Sequence, residues 1–292
     1  MDIEPNNILS RPVPELKEYL LEQYPDIPDE MIHAMSTDSR KTIRKFAEQI
    51  RRRKIRDLEE QKRLENLHLI ENRLYDDGYG LIAGIDEAGI APLAGPVVAA
   101  AVILPRNYML EGLDDSKKIS RIEKRETLAE KIKEDALAWA TGFAEVEEID
   151  RLNVFRSGLL AMTRSLAGLK TIPEFVLVDA RTIPHCSIPQ KAIIHGDALC
   201  ASIAAASIIA KTTRDRHMLE MDRIYPGYGF AVHKGYPTPT HLKTLKHLGP
   251  VPIHRTSFAP VKEAMQTGPR QEPLFQSDEP VPSSPADRFS NH

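Results

Sequence analysis

Cysteine is nearly absent: Cys186 and Cys200 are the only two in 292 residues. That excludes a disulfide framework and a cysteine-rich zinc site, and it suits a reducing, cytoplasmic setting. Long apolar runs are missing as well. The longest, around residues 94–104 and 201–210, are too short or too interrupted to span a bilayer, so no membrane is expected. The opening MDIEPNNILSRPVPELKEYL has no basic stretch followed by an apolar core, unlike a signal peptide. Nor is there an excess of positive charge. Lys and Arg number 39 against 42 Asp and Glu, for a net charge of −3. A nucleic-acid partner would therefore have to be held by a local patch, not by a global basic field.

What is present falls into three stretches. Residues 1–78 are polar and charged and predict a helical extension. Leu16, Leu20 and Leu21 mark a short amphipathic helix, and a long charged helix is expected from Arg40 to Arg73. That helix carries the basic cluster Arg51-Arg52-Arg53-Lys54 with Arg56, followed by Glu59, Glu60 and Glu65. A solvated face explains such a mixture, and an accessory nucleic-acid arm is the alternative. Residues 79–262 hold the apolar periodicity and hence the core. LIAGID (81–86), PVVAAAVIL (96–104), ALAWATGFA (136–144) and FVLVDA (175–180) read as strands. Residues 120–136 read as a helix capped by Ser120 with Glu123, and Glu147 to Lys170 as a helix interrupted near Asn153. Residues 201–223 form a helix whose first half is made of small residues, which predicts close packing. This order of strands and helices implies an α/β layer architecture with a mixed sheet. Residues 263–292, with five prolines among Ser, Gln, Glu and Asp, predict a disordered tail.

Four acids in the middle stretch stand where an apolar strand stops or a helix starts. Asp86-Glu87 close LIAGI, Asp179 closes EFVLV, and Asp197 lies in HGDA just before the small-residue helix. Functional groups gather at such strand ends in α/β sheets. Carboxylates converging there repel one another unless cations neutralise them, and hard ions such as Mg²⁺ or Mn²⁺ prefer oxygen ligands. Two such ions about 3.5–4 Å apart could clamp the attacking water and the leaving oxygen of a phosphodiester. Taken singly, each acid has a blander reading as a turn former or, for Asp197, a helix cap.

Longer blocks carry a resemblance. GIDEAG…PLAGPVVAAAVIL (84–104), GLDDSKKIS (112–120), EEIDRLN (147–153), VLVDA (176–180), GDALCASIAAASIIAKTTRDR (196–216), YPGYGFAVHKGYPTPTH (225–241) and GPVPIHRTSFAPV (249–261) resemble, in order, the signature blocks of the ribonuclease HII family. The resemblance implies a ribonuclease H-like mixed sheet flanked by helices. It also implies hydrolysis of RNA in RNA–DNA hybrids, and of ribonucleotides embedded in duplex DNA, leaving 5′-phosphate and 3′-hydroxyl ends. By position Asp86, Glu87, Asp179 and Asp197 match the family's four metal-binding acids, and some bacterial members carry a similar helical extension. Substrate contacts are implied for the tripeptide Gly89-Ile90-Ala91, for Tyr236 against a sugar, and for Lys117, Lys211 and Arg214 at phosphates. Ser207, Lys211 and Arg214 share one helix face by spacing. A monomer satisfies every feature of the sequence.

The tripeptide departs from the family pattern, which is Gly-Arg-Gly. Ile90 carries no charge, and the Cβ of Ala91 is expected to hinder a positive φ and a close backbone approach. This opens a second reading, a catalytically weakened hybrid-binding protein of the same fold. A nuclease of this superfold acting on DNA alone is a third.

Overall fold

The computed structural model describes residues 8–119 and 121–267. The chain opens with helices α1 (Val13–Glu22), α2 (Asp29–Ser36), the 27-residue α3 (Lys41–Leu67) and α4 (Leu69–Asp76). The expected single helix from Arg40 to Arg73 is thus two helices. They meet at His68, a buried residue whose Nε2 donates to the Tyr108 carbonyl at 2.7 Å, while Nδ1 lies 3.1 Å from Glu71 Oε2. Leu16, Leu20, Met31, Met35, Ile43 and Phe46 belong to a small core that serves α1, α2 and the first half of α3. The far end of α3 is buried elsewhere. Leu64 and Leu67 join the main core, and Ile70 and Leu74 of α4 pack beneath the sheet against the cluster around Ile82 and Leu177. The helical extension is therefore anchored to the rest of the chain through its second half.

Next come β1 (Ile82–Ala88), β2 (Val97–Ile103), α5 (Ile122–Asp135) and β3 (Ala138–Ala144), then α6 (Val146–Leu152), α7 (Val154–Ala167), β4 (Phe175–Asp179) and β5 (Gln190–Ile193). A 3₁₀ turn (Gly196–Ala198) leads into α8 (Ala201–Ile224), and α9 (Phe230–His233), α10 (Pro239–Leu248) and α11 (Ala259–Thr267) follow. The strands lie in the order β3-β2-β1-β4-β5. β1 runs antiparallel to β2 and β2 to β3, whereas β1–β4 and β4–β5 are parallel. This is the mixed sheet that the alternation of elements predicted. β5 escaped the sequence reading because two of its four residues are exposed and its pattern is not apolar.

Helices cover both faces, as a sheet buried on both sides requires. Ala201, Ala204, Ala205 and Ile208 of α8 meet Ala100 and Val102, while Ala161 and Met162 of α7 meet Ile85, Ala99 and Ala101 on the other face. The small residues of α8 let it lie against β1 at Gly84, where a Cβ would stand 2.2 Å from the Ser202 carbonyl carbon. One helix boundary behaves as read. Asn153, at φ 75°, separates α6 from α7, and its side chain accepts from the Arg156 N–H. The expected cap Ser120 lies outside the described residues, and α5 starts at Ile122. Composition had placed the tail from Glu263 onward; residues 263–267 instead continue α11, and residues 268–292 lie outside the described residues.

Candidate active site

Parallel pairing of β1 with β4 sets Ile85 opposite Val178, so Asp86 and Asp179 are the next neighbours at the carboxyl ends of adjacent strands. Asp179 Oδ1 accepts from the Gly196 N–H at 2.8 Å, which ties the turn carrying Asp197 to the same strand end. Asp86 and Asp197 are both buried, and Asp86 Oδ1 accepts from the Glu87 N–H at 2.7 Å. Strand alternation sends Asp86 toward α8 with Gly84 and turns Glu87 toward α7. There Glu87 Oε1 lies 3.1 Å from Arg181 Nη2, and Glu87 Oε2 is buried without a partner. Lys117 reaches over from the preceding loop, its Nζ 3.3 Å from Asp197 Oδ2.

The electrostatics follow from this crowding. Burial raises the Asp86 carboxyl well above the usual range, and the charges of Glu87 and Asp179 push the same way, against a hydrogen bond from Ser207. That serine is held at 2.9 Å from the Ser116 hydroxyl, so the DSKK loop and α8 meet beside the acid. Burial also raises Glu87, opposed chiefly by Arg181. Burial pulls Lys117 down, yet Asp115, Asp86 and Asp197 together raise it.

The four sequence-predicted acids thus stand at one end of the sheet. Among the described residues, however, no group of three or more His, Cys, Asp or Glu side chains is arranged to hold a metal ion as it stands. Each carboxylate is instead answered by a local partner: Asp86 by its neighbour's N–H, Glu87 by Arg181, Asp179 by Gly196 and Asp197 by Lys117. The donor set is made of oxygen only, and the buried, partnerless Glu87 Oε2 is an acceptor that lacks a donor. Both properties fit a hard divalent cation.

The loop after β1 answers several further expectations. Gly89 has φ 101°, and a Cβ there would stand 2.3 Å from Arg214 Nε. Ala91 is exposed and is not among the residues of positive φ, so the expected conformational cost of its Cβ does not arise. Ile90 turns its side chain inward, half-buried against the cluster of Met162 and Phe258. Two buried arginines hold this loop by its carbonyls. Arg255 donates to Gly89 at 2.6 Å, Ile90 at 3.0 Å and Gly95 at 2.7 Å; Arg214 donates to Pro96, Ala94 and Lys234 at 3.0–3.1 Å. The phosphate contact expected of Arg214 is corrected accordingly: its side chain is fully buried and serves the loop. Lys211 is half-buried and paired with Asp215 at 2.6 Å. Its ammonium lies 5.5 Å from the centre of the exposed Tyr236 ring, so those two residues lie side by side. Arg181 and Arg255 went unnoticed in sequence. A basic residue two places after a strand-end acid was the one signal available for Arg181, whereas a buried arginine in an HRTSF stretch leaves none.

Comparison with known proteins gives this geometry its family. The ribonuclease HII family model matches residues 83–261, and the model of the ribonuclease HII N-terminal domain matches residues 12–75. The chain belongs to the ribonuclease HII family. It is 54% identical over 272 residues to a ribonuclease HII of Myxococcus xanthus, covering 93% of each chain. It is 51% identical over 285 residues to one of an Anaeromyxobacter species, covering 98% of this chain and 89% of that one. Among solved structures, ribonuclease H2 from Pyrococcus horikoshii superposes with a TM-score of 0.54 at 24% identity, over 64% of this chain and 98% of that one. A chain of the PCNA:RNase HII complex from Archaeoglobus fulgidus gives 0.52 at 26% identity, over 66% and 98%. The fold is thus ribonuclease H-like, as the resemblance implied, and the family makes this ribonuclease HII member a hydrolase. The N-terminal family domain coincides with helices α1 to α4.

Proposed function

We propose that this ribonuclease HII family member, an endonuclease of the RNA strand, hydrolyses RNA in RNA–DNA hybrids and cuts at ribonucleotides embedded in duplex DNA. It leaves 5′-phosphate and 3′-hydroxyl ends. The observation that carries this reading is the gathering at one end of the sheet of Asp86, Glu87 and Asp179, on the ends of parallel strands β1 and β4, with Asp197 on the 3₁₀ turn tied to Asp179, and with Asp86 and Asp197 buried. Two divalent cations, Mg²⁺ or Mn²⁺, would be held by these four acids. When bound, they would supply activation of water and stabilisation of charge on the leaving oxygen.

The chain's own residues do the rest. Asp86 and Glu87 leave β1 in opposite directions, so the acid cluster has one wall on the α8 side and one on the α7 side. Arg255 and Arg214 bind the loop carbonyls from inside and so fix the backbone of Gly89-Ile90-Ala91 at the rim. That is where a 2′-hydroxyl can be read by backbone groups. Tyr236 offers an exposed ring for a sugar, and Lys117, about three-quarters exposed, is free to move from Asp197 to a phosphate. Support for a competent loop, rather than a binding-only protein, comes from the unstrained Ala91 and the intact carbonyl clamp.

The test is cleavage of three duplexes in Mg²⁺ and in Mn²⁺: a long RNA–DNA hybrid, a DNA duplex with one ribonucleotide, and an all-DNA duplex. The first two are expected to be cut and the third left whole. Equal cutting of all three contradicts the assignment. Under the binding-only alternative, Ile90→Arg with Ala91→Gly would cleave far faster than the natural chain.

A further inference from the structure

Arg181 has a built berth beside the acid cluster. It is reached through Ala180, which stands at φ 51°, a left-handed conformation that alanine rarely adopts. The turn swings the side chain of the next residue across the end of β4 toward α7. Its guanidinium lies 4.8 Å above the ring of Phe155. Below it is Gly158, where a Cβ would stand 2.5 Å from Arg181 Nη1 and 3.3 Å from Ile90 Cδ1. The bare glycine thus leaves room for one guanidinium and one apolar side chain side by side. At the inner end Arg181 Nη2 meets Glu87 Oε1 at 3.1 Å, while Glu87 Oε2 and Arg181 Nη1 are each buried with no hydrogen-bond partner.

We propose that Arg181 is a positioning residue. It grips one oxygen of Glu87 and so presents the other to the divalent cation, and Gly158, Phe155 and the neutral Ile90 form the berth that makes this grip possible. Resting on the metal-dependent reading above, the inference adds a function to residues outside the four acids. It also gives the uncharged Ile90 a physical reason: an arginine at position 90 would bring a second guanidinium into ground that holds one. Two effects of Arg181 on a cation oppose each other, since its charge repels the ion while its ion pair with Glu87 orients the ligand. Partners that orient metal ligands typically change metal affinity by about 10–100-fold, so orientation is expected to win.

The experiment titrates Mg²⁺ and Mn²⁺ calorimetrically into the intact wild-type chain and into Arg181→Met and Gly158→Ala. Thermal unfolding without metal is recorded alongside. Gly158→Ala keeps every charge and displaces chiefly the guanidinium, the flexible neighbour of the new methyl group, with a lesser contact to Ile90 Cδ1. The expected result is about tenfold or greater weakening of metal binding in both variants, with a metal-free unfolding midpoint near that of wild type. Should Arg181→Met not fold, Gly158→Ala decides alone. Unchanged or tighter binding in a folded variant overturns the role of Arg181. A wild-type chain that binds neither ion overturns the metal-dependent reading and the inference together.

Discussion

Asp86 combines burial, a strand-end position and two acidic neighbours, and its proton affinity follows from all three. Because the folded chain binds that proton more tightly than the unfolded chain, the group's stabilising contribution is lost as pH rises from the ordinary carboxylate range through the raised value. At neutral pH, above the unfolded chain's carboxylate range, burying this group costs stability. Asp86→Asn is therefore expected to raise the metal-free melting temperature, by about 2–4 °C for each kcal/mol of relieved strain. The same variant should gain no stability from added Mg²⁺ and should lose nearly all cleavage. A lower melting temperature, or a wild-type response to Mg²⁺, contradicts the assignment of this residue. The acids themselves were legible in sequence because Asp86-Glu87 and Asp179 end apolar runs and Asp197 stands just before a helix, positions that need no knowledge of tertiary contacts. Arg181 and Arg255 were not, nor was the loop-holding role of Arg214, since what holds a charged side chain inside is a set of remote carbonyls or carboxylates.

Elements set the geometry that the residues exploit. The loop between β1 and β2 has no regular ladder, and its carbonyls are paid back by two guanidinium groups. Burial and the nearby Arg214 push Arg255 down to about 9, still charged at neutral pH. Arg255→Met would strand at least three buried carbonyls, at about 1–3 kcal/mol each. A loss of roughly 3 kcal/mol or more in urea unfolding is expected, together with poorer discrimination between ribose and deoxyribose. Loss of stability below about 1 kcal/mol would mean the clamp is dispensable. Behind this loop, His241 Nε2 and His254 Nε2 are 3.1 Å apart, and His233 stacks on His241 at 4.2 Å. Burial pushes both His241 and His254 down to about 4 from 6.5. The unfolded chain then binds the extra protons first, so stability should fall as pH drops from about 6.5 toward 4. The melting temperature at pH 5 is expected to lie several degrees below that at pH 7. A variant with His241→Gln and His254→Gln that keeps the wild-type profile would show that the histidine cluster does not couple to folding. Strands and helices of the core were readable from periodicity. The break at His68 and the edge strand β5 were not, because one rests on a contact with Tyr108, forty residues away, and the other on pairing with β4.

At the scale of the whole molecule, the sheet and α8 hold the site, and the first helices attach to them unevenly. Residues 8–50 have a core of their own, whereas Leu64, Leu67 and α4 are built into the main core. Glu71 Oε1 accepts from the Ser202 N–H at 2.8 Å and from its hydroxyl at 2.5 Å, satisfying the first turn of the helix that backs the acids. Removal of residues 1–50 is accordingly expected to leave a folded, cutting enzyme, while removal of 1–78 should lower the melting temperature sharply. Similar stability of the two truncations would place the boundary at 78 after all, where composition alone had put it. Composition sees a change in polarity there. It does not see that the last part of a charged helix is covered.

All of this rests on the four acids acting together on an RNA strand. The most direct measurement is the rate at which wild type and Asp179→Asn cut a DNA duplex containing one ribonucleotide, in Mg²⁺, with the product ends identified. The expected result is wild-type cleavage leaving a 5′-phosphate, and a fall of at least about a thousandfold in a variant that keeps its fold. Undiminished hydrolysis by Asp179→Asn would contradict it.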